Sequence, residues 1–302
     1  MSLTLEEAIA RVPHWKGAKE LKATPLDGGI TNRNFRIDVD GEAFVLRIAG
    51  ENTEFLGIDR EVEYAANLAA GKLGIAPEVF FFIRPEGYLV TRFINGRSIP
   101  PAEISQPENI RKVVDVLFRI HHMQAIPGNF DVFHIIEDYS EIASRHHVAF
   151  PHDHDWLIDC MRTAEKAIKK HQLTLFPCHN DLLNANFLAN GQLYILDWEY
   201  AGMGDFFFDL ANFSDHHSLS DEQDLWLLKC YFGEMSPNQW AHFKIMKILS
   251  DMREATWALV QIGISKLDFD FRAYADKFFA RVMENIQNPE WKEWLKEVSR
   301  NV

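Results

Sequence analysis

The spacing of apolar residues changes about a third of the way along the chain, and this change limits the fold more than any other feature of the sequence. Before residue 94, apolar and polar residues alternate in several runs, which is the pattern of half-buried strands. The clearest case is a pair of alternating runs around an Asp-Gly turn: Phe35, Ile37 and Val39, then Asp40-Gly41, then Phe44, Leu46 and Ile48. This arrangement predicts a β-hairpin.

One helix and two further strands complete this first part. Over residues 59–73 the apolar positions recur at helical spacing, with Asp59 as the predicted N-cap and Gly74 at the expected C-terminal stop. Residues 79–83 and 88–93 have the composition of strands.

Helical spacing dominates after the turn-forming pair Asn95-Gly96. The predicted helices cover residues 107–125, 134–147, 153–172 and most of the chain after 221. A second hairpin interrupts them, with arms at 186–188 and 193–198 around Asn190-Gly191. We therefore predict an α+β chain of two domains, a small β-rich one at 1–94 and a larger, mainly helical one at 95–302.

Acidic residues outnumber basic ones by 44 to 31, which gives a formal charge of −13. Because a nucleic-acid partner needs a basic face, this balance disfavours nucleic acid and favours a cationic substrate. Cys160, Cys178 and Cys230 form no Cys-x-x-Cys pair, so we expect no disulfide framework and a reducing, cytoplasmic location. We also expect neither a signal peptide nor a membrane span, since no basic start or long apolar run is present.

The residues that point to a reaction lie around position 180. His179, Asp181 and Asn186 form the pattern H-x-D-x-x-x-x-N, and the second hairpin then brings a further carboxylate, Asp197. Phosphoryl transfer from ATP needs a proton acceptor for the attacking hydroxyl and oxygen ligands for magnesium. We interpret Asp181 as the base and Asn186 and Asp197 as the metal ligands; the alternative is an acidic surface hairpin.

The five-residue spacing of Asp181 and Asn186 matches the catalytic loop of the protein-kinase superfold. Three segments resemble the choline/ethanolamine kinase branch of the aminoglycoside-phosphotransferase-like enzymes: His-Asn-Asp-Leu-Leu at 179–183, Asp-Trp-Glu-Tyr at 197–200 and Gly-Asp-Phe-Phe-Phe-Asp-Leu-Ala-Asn at 204–212. The resemblance implies a bilobal protein-kinase-like fold, ATP and Mg2+ as cofactors, and a small amino-alcohol such as choline as the substrate.

The resemblance also implies roles for two residues near this loop. His179 is expected to orient the loop, and Asp209 to accept backbone hydrogen bonds from it. The alternatives are a catalytic base at 179 and a third metal ligand at 209.

Nucleotide binding is assigned by the same resemblance to the first hairpin and its surroundings. The preceding turn is similar to the Gly-Gly-x-[Ser/Thr]-Asn turn of choline kinases. Its predicted phosphate-binding residues are Gly28, Gly29, Thr31, Asn32 and Asn34. Arg47 stands where protein kinases place a lysine on the phosphates, and Glu61 aligns with the acidic partner of that cation. The alternatives are a plain turn and an exposed helical glutamate.

A trimethylammonium group has no N–H donor and is best held by aromatic faces with a nearby carboxylate. By resemblance the C-terminal half supplies the rings, with Tyr200 and Trp257 as the first candidates, and each ring has a place in the core as its alternative. The other rings are Phe269, Phe271 and Tyr274. The predicted carboxylates are Glu199, Asp215 and Asp270. Strand geometry would place Glu199 on the same face as Asp197.

We therefore predict an ATP- and Mg2+-dependent phosphotransferase for choline or a related amino-alcohol. Ethanolamine, thiamine, an aminoglycoside or a sugar remain as other acceptors. The other classes are a nucleotide-binding pseudo-enzyme, which retention of Asp181, Asn186 and Asp197 disfavours, and a metal-dependent phosphoesterase, for which the ligands are too few. The histidines at 146–154 and 216–217 are interpreted as surface residues and not as a transition-metal site. The sequence leaves the oligomeric state open, a homodimer included.

Overall fold

The computed structural model of the chain describes residues 3–26, 32–50 and 52–300. The chain divides into two compact units. The first comprises Met1–Ile99 and Ala185–Ala201, and the second comprises Pro100–Asn184 and Gly202–Val302. The first stretch of this unit ends at Ile99, near the predicted boundary after residue 94. Residues 185–201, which the sequence analysis placed in the C-terminal domain, belong to the same unit.

The described residues form the following elements. The helices are α1 (Leu5–Ala10), α2 (Arg60–Lys72), α3 (Pro101–Ile104), α4 (Pro107–His121), α5 (Val132–Arg145), α6 (His154–Ile168), α7 (Phe206–His216), α8 (Asp221–Phe232), α9 (Pro237–Ile264), α10 (Phe271–Gln287) and α11 (Glu290–Val298). The strands are β1 (Leu21–Leu26), β2 (Arg33–Val39), β3 (Glu42–Ile48), β4 (Val79–Ile83), β5 (Tyr88–Arg92), β6 (Arg97–Ser98), β7 (Phe176–Cys178), β8 (Phe187–Asn190), β9 (Gln192–Ile195) and β10 (Gly202–Gly204).

The first unit is built on a five-stranded antiparallel sheet in the order β1-β2-β3-β5-β4. The predicted hairpin is present: Val39 pairs with Glu42, and the turn residues Asp40 and Gly41 have φ angles of 48° and 88°. Positive φ at both positions lets a two-residue turn follow the twist of its strands. Five of the six alternating apolar residues of β2 and β3 are buried, Phe35 is half-buried, and α1 packs against them through Ala8.

Helix α2 begins where the sequence predicts. The Asp59 side chain accepts hydrogen bonds from the N–H groups of Glu61 and Val62 at 2.9 and 3.2 Å, which caps the helix. At the other end Gly74 has a φ of 68°, a left-handed conformation that glycine adopts readily just past a helix.

The second hairpin, β8–β9, belongs to the first unit. The N–H of Ile195 donates to the carbonyl of Ile75, just beyond α2, at 2.8 Å, and β8 pairs with β6. Strand β9 ends at Ile195, before the predicted end at 198, because Asp197 has a φ of 63° and cannot continue a strand.

The second unit is mainly helical, with the long helix α9 packed against α5, α7, α10 and α11. The helices predicted over 107–125, 134–147 and 153–172 are observed as α4, α5 and α6, and each ends a few residues before the predicted C-terminus. The short strands β7 and β10, which flank residues 179–201 in the sequence, pair antiparallel. Among the helices of the described chain, none is both long and apolar enough to cross a membrane.

Candidate active site

Asp209, in the first turn of α7, binds the start of the predicted catalytic loop, residues 179–186. Its oxygens accept hydrogen bonds from the N–H groups of His179 at 2.9 Å and Asn180 at 2.7 Å, and Oδ2 lies 3.1 Å from Nε2 of His121. Burial alone would raise the pKa of Asp209, but the hydrogen bond and charge interaction with His121, together with the interactions of His179, outweigh burial and lower this pKa. The prediction that Asp209 accepts backbone hydrogen bonds is confirmed.

A tyrosine from a third helix extends this contact. The Tyr231 hydroxyl lies 2.7 Å from Nδ1 of His121. Burial raises the pKa of Tyr231, so its hydroxyl keeps the proton. His121 therefore bridges Tyr231 and Asp209 through its two ring nitrogens. The sequence analysis identified neither His121 nor Tyr231.

The next two residues of the loop are also held through their backbone N–H groups. Asp181 donates its N–H to Nδ1 of His179 at 3.2 Å, and Leu182 donates to Oδ1 of Asn212 at 2.6 Å. The Asn212 amide in turn donates to Ser250 Oγ at 3.1 Å. His179 therefore contacts the loop as its predicted orienting role requires, and the N–H groups of residues 179–182 all donate to side chains of the second unit.

Asp181 lies beside a buried arginine of α9. Its Oδ1 is 3.5 Å from Nη1 of Arg253, and the same Nη1 donates to Oε1 of Glu254 at 2.5 Å. Oxygen and nitrogen atoms of Asp181, His216 and Glu254 all lie within 4.8 Å of one another. The sequence analysis missed Arg253 and Glu254 as site residues; the available signal was a cluster of charged residues, Asp251, Arg253 and Glu254, in the middle of a predicted helix.

Glu254 contacts one member of an aromatic cluster, Tyr274. The Tyr274 hydroxyl donates to Oε2 of Glu254 at 2.8 Å, and the Tyr274 ring makes edge contacts with Trp257 and Phe269 at centroid distances of 6.1 and 5.9 Å. Phe271 also packs against Trp257, at 5.9 Å. The structure thus brings together four of the five rings predicted for the substrate, and it adds a carboxylate that was not predicted.

The Glu254 carboxylate is ionised. Burial alone would raise the pKa of Glu254, but the adjacent Arg253, His216 and the Tyr274 hydroxyl lower it. An anion held against aromatic rings is a suitable environment for an organic cation.

Asp215 faces a different set of groups. Its carboxylate lies 3.0 Å from Nη2 of Arg281 and 3.8 Å from Nζ of Lys247. Burial raises the pKa of Asp215 to about 6 against the opposing charges of Lys247 and Arg281. Asp215 therefore belongs to a buried ion-pair network, and Glu254 is the carboxylate that contacts the aromatic rings.

In the first unit, Asn186 and Asp197 lie at the open end of the second hairpin, next to its last paired residues. Phe187 pairs with Ile195, and the N–H of Leu196 donates to the carbonyl of Asn186 at 2.8 Å. Asn186 is buried, and Asp197 is the next residue after Leu196. An amide and a carboxylate thus stand at one end of the hairpin, and both supply the oxygen donors that magnesium prefers.

Arg47 on β3 contacts two carboxylates. Its Nη1 donates to Oδ1 of Asp197 at 2.7 Å, and its Nη2 contacts Glu63. The predicted partner Glu61 is wrong: its side chain is 59% exposed and pairs with Arg84 at 2.7 Å, whereas that of Glu63 is 1% exposed. Two positions along a helix turn a side chain through about 200°, so Glu61 and Glu63 face opposite ways.

Glu199 and Asn32 are engaged with each other and with Arg60. The Asn32 amide donates to Oε2 of Glu199 at 2.9 Å, and Nη1 of Arg60 donates to the same oxygen at 3.0 Å. Arg60 also pairs with Glu63 at 2.8 Å. Glu199 is therefore held inside the first unit, and the strand geometry predicted for it fails because β9 has already ended.

The remaining predicted nucleotide residues lie in and before β2. Asn34 pairs with Arg47 across β2 and β3, so the two positions are neighbours in the sheet. Gly28, Gly29 and Thr31 lie outside the described residues. Tyr200 is half-buried in the first unit, immediately after Glu199.

Comparison with known proteins identifies similar chains. The family model described as choline/ethanolamine kinase matches residues 23–227. Protein LicA of Haemophilus influenzae is 29% identical over 241 residues, which cover 77% of this chain and 70% of that protein. A choline/ethanolamine kinase family protein from Mesorhizobium loti, known from a crystal structure, is 31% identical with a TM-score of 0.83, and the match covers 97% of each chain.

A more distant match shows the fold alone. The crystal structure of choline kinase LicA from Streptococcus pneumoniae is 21% identical with a TM-score of 0.78, covering 93% of this chain and 98% of that one. These matches extend over the sheet-containing and the helical parts alike, and they confirm the predicted protein-kinase-like fold.

Proposed function

The chain belongs to the choline/ethanolamine kinase family and is a small-molecule kinase, and we propose that it transfers the γ-phosphoryl group of ATP to the hydroxyl of choline with magnesium as cofactor. One observation carries the choice of acceptor. Asp181, Arg253, Glu254 and Tyr274 form an unbroken series of polar contacts of 3.5, 2.5 and 2.8 Å that ends at an aromatic cluster. The proposed base and the proposed ammonium site therefore lie within one compact unit.

The ammonium site consists of Glu254 with Trp257, Phe269, Phe271 and Tyr274. A quaternary ammonium cannot donate a hydrogen bond from nitrogen, so it gains most from ring faces and a nearby negative charge. Both oxygens of Glu254 already accept hydrogen bonds, from Arg253 and Tyr274. This carboxylate therefore offers charge more than free acceptor positions, which favours a trimethylammonium group over a primary ammonium.

Asp181 is the proposed proton acceptor for the hydroxyl of the acceptor. The oxygen of this hydroxyl attacks the γ-phosphorus, its proton passes to the Asp181 carboxylate, and ADP leaves with the electrons of the broken P–O bond. The fixed amides of residues 179–182 keep the Asp181 side chain from moving away during this step.

The metal and phosphate roles fall to residues of the first unit. Asn186 and Asp197 would hold magnesium, because an amide oxygen and a carboxylate stand together at the end of the hairpin. When bound, the metal neutralises charge on the ATP phosphates. Arg47 would add a fixed positive charge for the phosphates, with Asn34 beside it in the sheet, and residues 28–32 would contribute backbone N–H groups.

The test is an ADP-release assay with magnesium and a panel of acceptors: choline, ethanolamine, thiamine, an aminoglycoside and a sugar. We expect the highest kcat/KM with choline and no turnover by Asp181→Asn. Trp257→Ala should lower kcat/KM for choline by about tenfold or more through loss of the cation–ring contact, whereas the control Trp226→Ala should not.

Two results would contradict the proposal. A higher kcat/KM with ethanolamine than with choline, unchanged in Trp257→Ala, would show that the protein is a kinase for a different acceptor. ATP binding without turnover on any acceptor would make the chain a nucleotide-binding pseudo-enzyme.

A further inference from the structure

Arg253 contacts the proposed base and was not among the site residues predicted from the sequence. It lies in the middle of α9 and is 2% exposed. Its Nη1 atom stands between two carboxylates, 3.5 Å from Oδ1 of Asp181 and 2.5 Å from Oε1 of Glu254. The catalytic loop itself, residues 179–186, contains no lysine or arginine.

The groups that face Asp181 come from four elements. His179 lies in the catalytic loop, His216 ends α7, Arg253 and Glu254 lie on α9, and Tyr274 lies on α10. Arg253 carries a permanent positive charge among them, because an arginine side chain does not lose its proton in proteins. The ionised Glu254 balances that charge, so the pair can remain buried.

We propose that Arg253 is a positioning residue for phosphoryl transfer, which keeps the Asp181 carboxylate ionised and oriented and links it through Glu254 to the ammonium site. This inference rests on the proposed function, since it assumes that Asp181 accepts the proton. A planar guanidinium can contact two carboxylates in fixed directions, which a flexible ammonium cannot reproduce. Binding of an ammonium group beside Glu254 would then affect Asp181 through the Glu254–Arg253 and Arg253–Asp181 contacts.

The experiment measures kcat/KM for choline against pH, at saturating ATP and magnesium, in the wild type and three variants. Arg253→Gln removes the charge, and Arg253→Lys keeps the charge but not the planar contact. The matched control is Arg281→Gln, which removes an arginine of the same unit whose ion pairs are with Asp215 and Asp251 at 3.0 Å.

We expect Arg253→Gln to lower kcat by about 10- to 100-fold, which is less than the roughly 10²- to 10⁴-fold attributed to a general base itself, because Asp181 is still present. The acidic limb of its profile should move to higher pH by about 1 unit, because an adjacent cation favours the ionised form of a carboxyl group. Arg253→Lys should show an acidic limb at the same pH as the wild type, with a lower kcat. Arg281→Gln should not move the limb, and KM for ATP should stay the same in all three variants.

An acidic limb that coincides in Arg253→Gln and the wild type would overturn the inference, as would an equal movement in Arg281→Gln. Thermal unfolding and circular dichroism show whether Arg253→Gln is folded. If it is not folded, the test is the kcat of Arg253→Lys: a kcat equal to that of the wild type would exclude an orienting role for Arg253. Asp181→Asn separates the two proposals: full turnover in that variant overturns the proposed function, whereas lost turnover with an unmoved limb in Arg253→Gln overturns only the role of Arg253.

Discussion

Nη1 of Arg47 donates a 2.7 Å hydrogen bond to Oδ1 of Asp197. The residue proposed to bind the ATP phosphates therefore contacts a residue proposed to bind magnesium. Glu63 contacts the other side of the same guanidinium. Burial lowers the pKa of Arg47 against the opposing charges of Asp197 and Glu199, yet an arginine stays protonated throughout the working range of pH. When ATP and magnesium bind, the phosphates would contact Arg47 and the metal would contact Asp197, the two members of this ion pair.

Glu63 should be important for stability, and Glu61 should not. Glu63→Gln removes the carboxylate that Arg47 and Arg60 share and leaves two buried cations without it. We expect the free energy of unfolding to fall by about 3 kcal/mol, as is usual when one partner of a buried ion pair is removed. Urea denaturation measures this change.

The control for that prediction is Glu61→Gln on the same helix. The exposed pair with Arg84 is well solvated, so its loss should leave the denaturation midpoint unchanged. Equal losses in the two variants would show that Glu63 has no special role.

Asp209→Asn should impair the catalytic loop more than the fold of α7. An amide oxygen can replace only one of the two carboxylate oxygens, so either the N–H of Asn180, or the N–H of His179 together with His121, loses its partner. We expect kcat to fall by at least about tenfold, with KM for choline and ATP nearly constant, because the loop residue Asp181 loses its orientation. Steady-state kinetics of both substrates measure this change.

Asp205→Asn is the matched control, since Asp205 caps α7 and asparagine caps a helix equally well. A kcat for Asp209→Asn equal to that of this control would argue against the anchoring role of Asp209.

Glu254→Gln should weaken recognition of charge at the acceptor. In the wild type we expect choline to be used at least about tenfold better than its neutral analogue, in which carbon replaces the quaternary nitrogen, because the analogue gains nothing from a negative charge or from ring faces. Glu254→Gln keeps the shape and removes the charge, so the ratio of the two kcat/KM values should fall towards that of a purely apolar site. An unchanged ratio would place the ammonium group elsewhere.

His217 should make the protein less stable in mild acid. Burial lowers the pKa of His217 to about 4, and its Nδ1–H donates to the carbonyl of Phe213 at 2.7 Å. Between pH 6.5 and about 4 the unfolded chain binds a proton here that the folded chain does not, so stability falls as the pH is lowered through this range. The loss amounts to at most about 3 kcal/mol.

The measurement is the free energy of unfolding from pH 7 to 4 for the wild type and His217→Asn. The difference between the two should change with pH, because the variant lacks the titrating group. His171→Asn, at an exposed histidine, should parallel the wild type. A constant difference between the wild type and His217→Asn would refute the prediction.

The local structure and the family could be predicted from residues that are near one another in the chain. Alternation of apolar residues and Asp40-Gly41 predicted the first hairpin, and Asp59 and Gly74 marked the ends of α2, because such signals depend on neighbours in the chain. The spacing of Asp181, Asn186 and Asp197 led to the kinase family for the same reason. Their roles in catalysis and metal binding remain proposals.

Which charged residues contact one another depends on how the helices and strands pack, and it could not be predicted from the sequence. Glu61 and Glu63 are both acidic and two positions apart, and the choice between them depends on which face of α2 turns towards Arg47. Arg253 and Glu254 lie far from Asp181 in sequence, and only the packing of α9 brings them beside it. Contacts of this kind are fixed by the burial of whole helices, a property that no local pattern of residues contains.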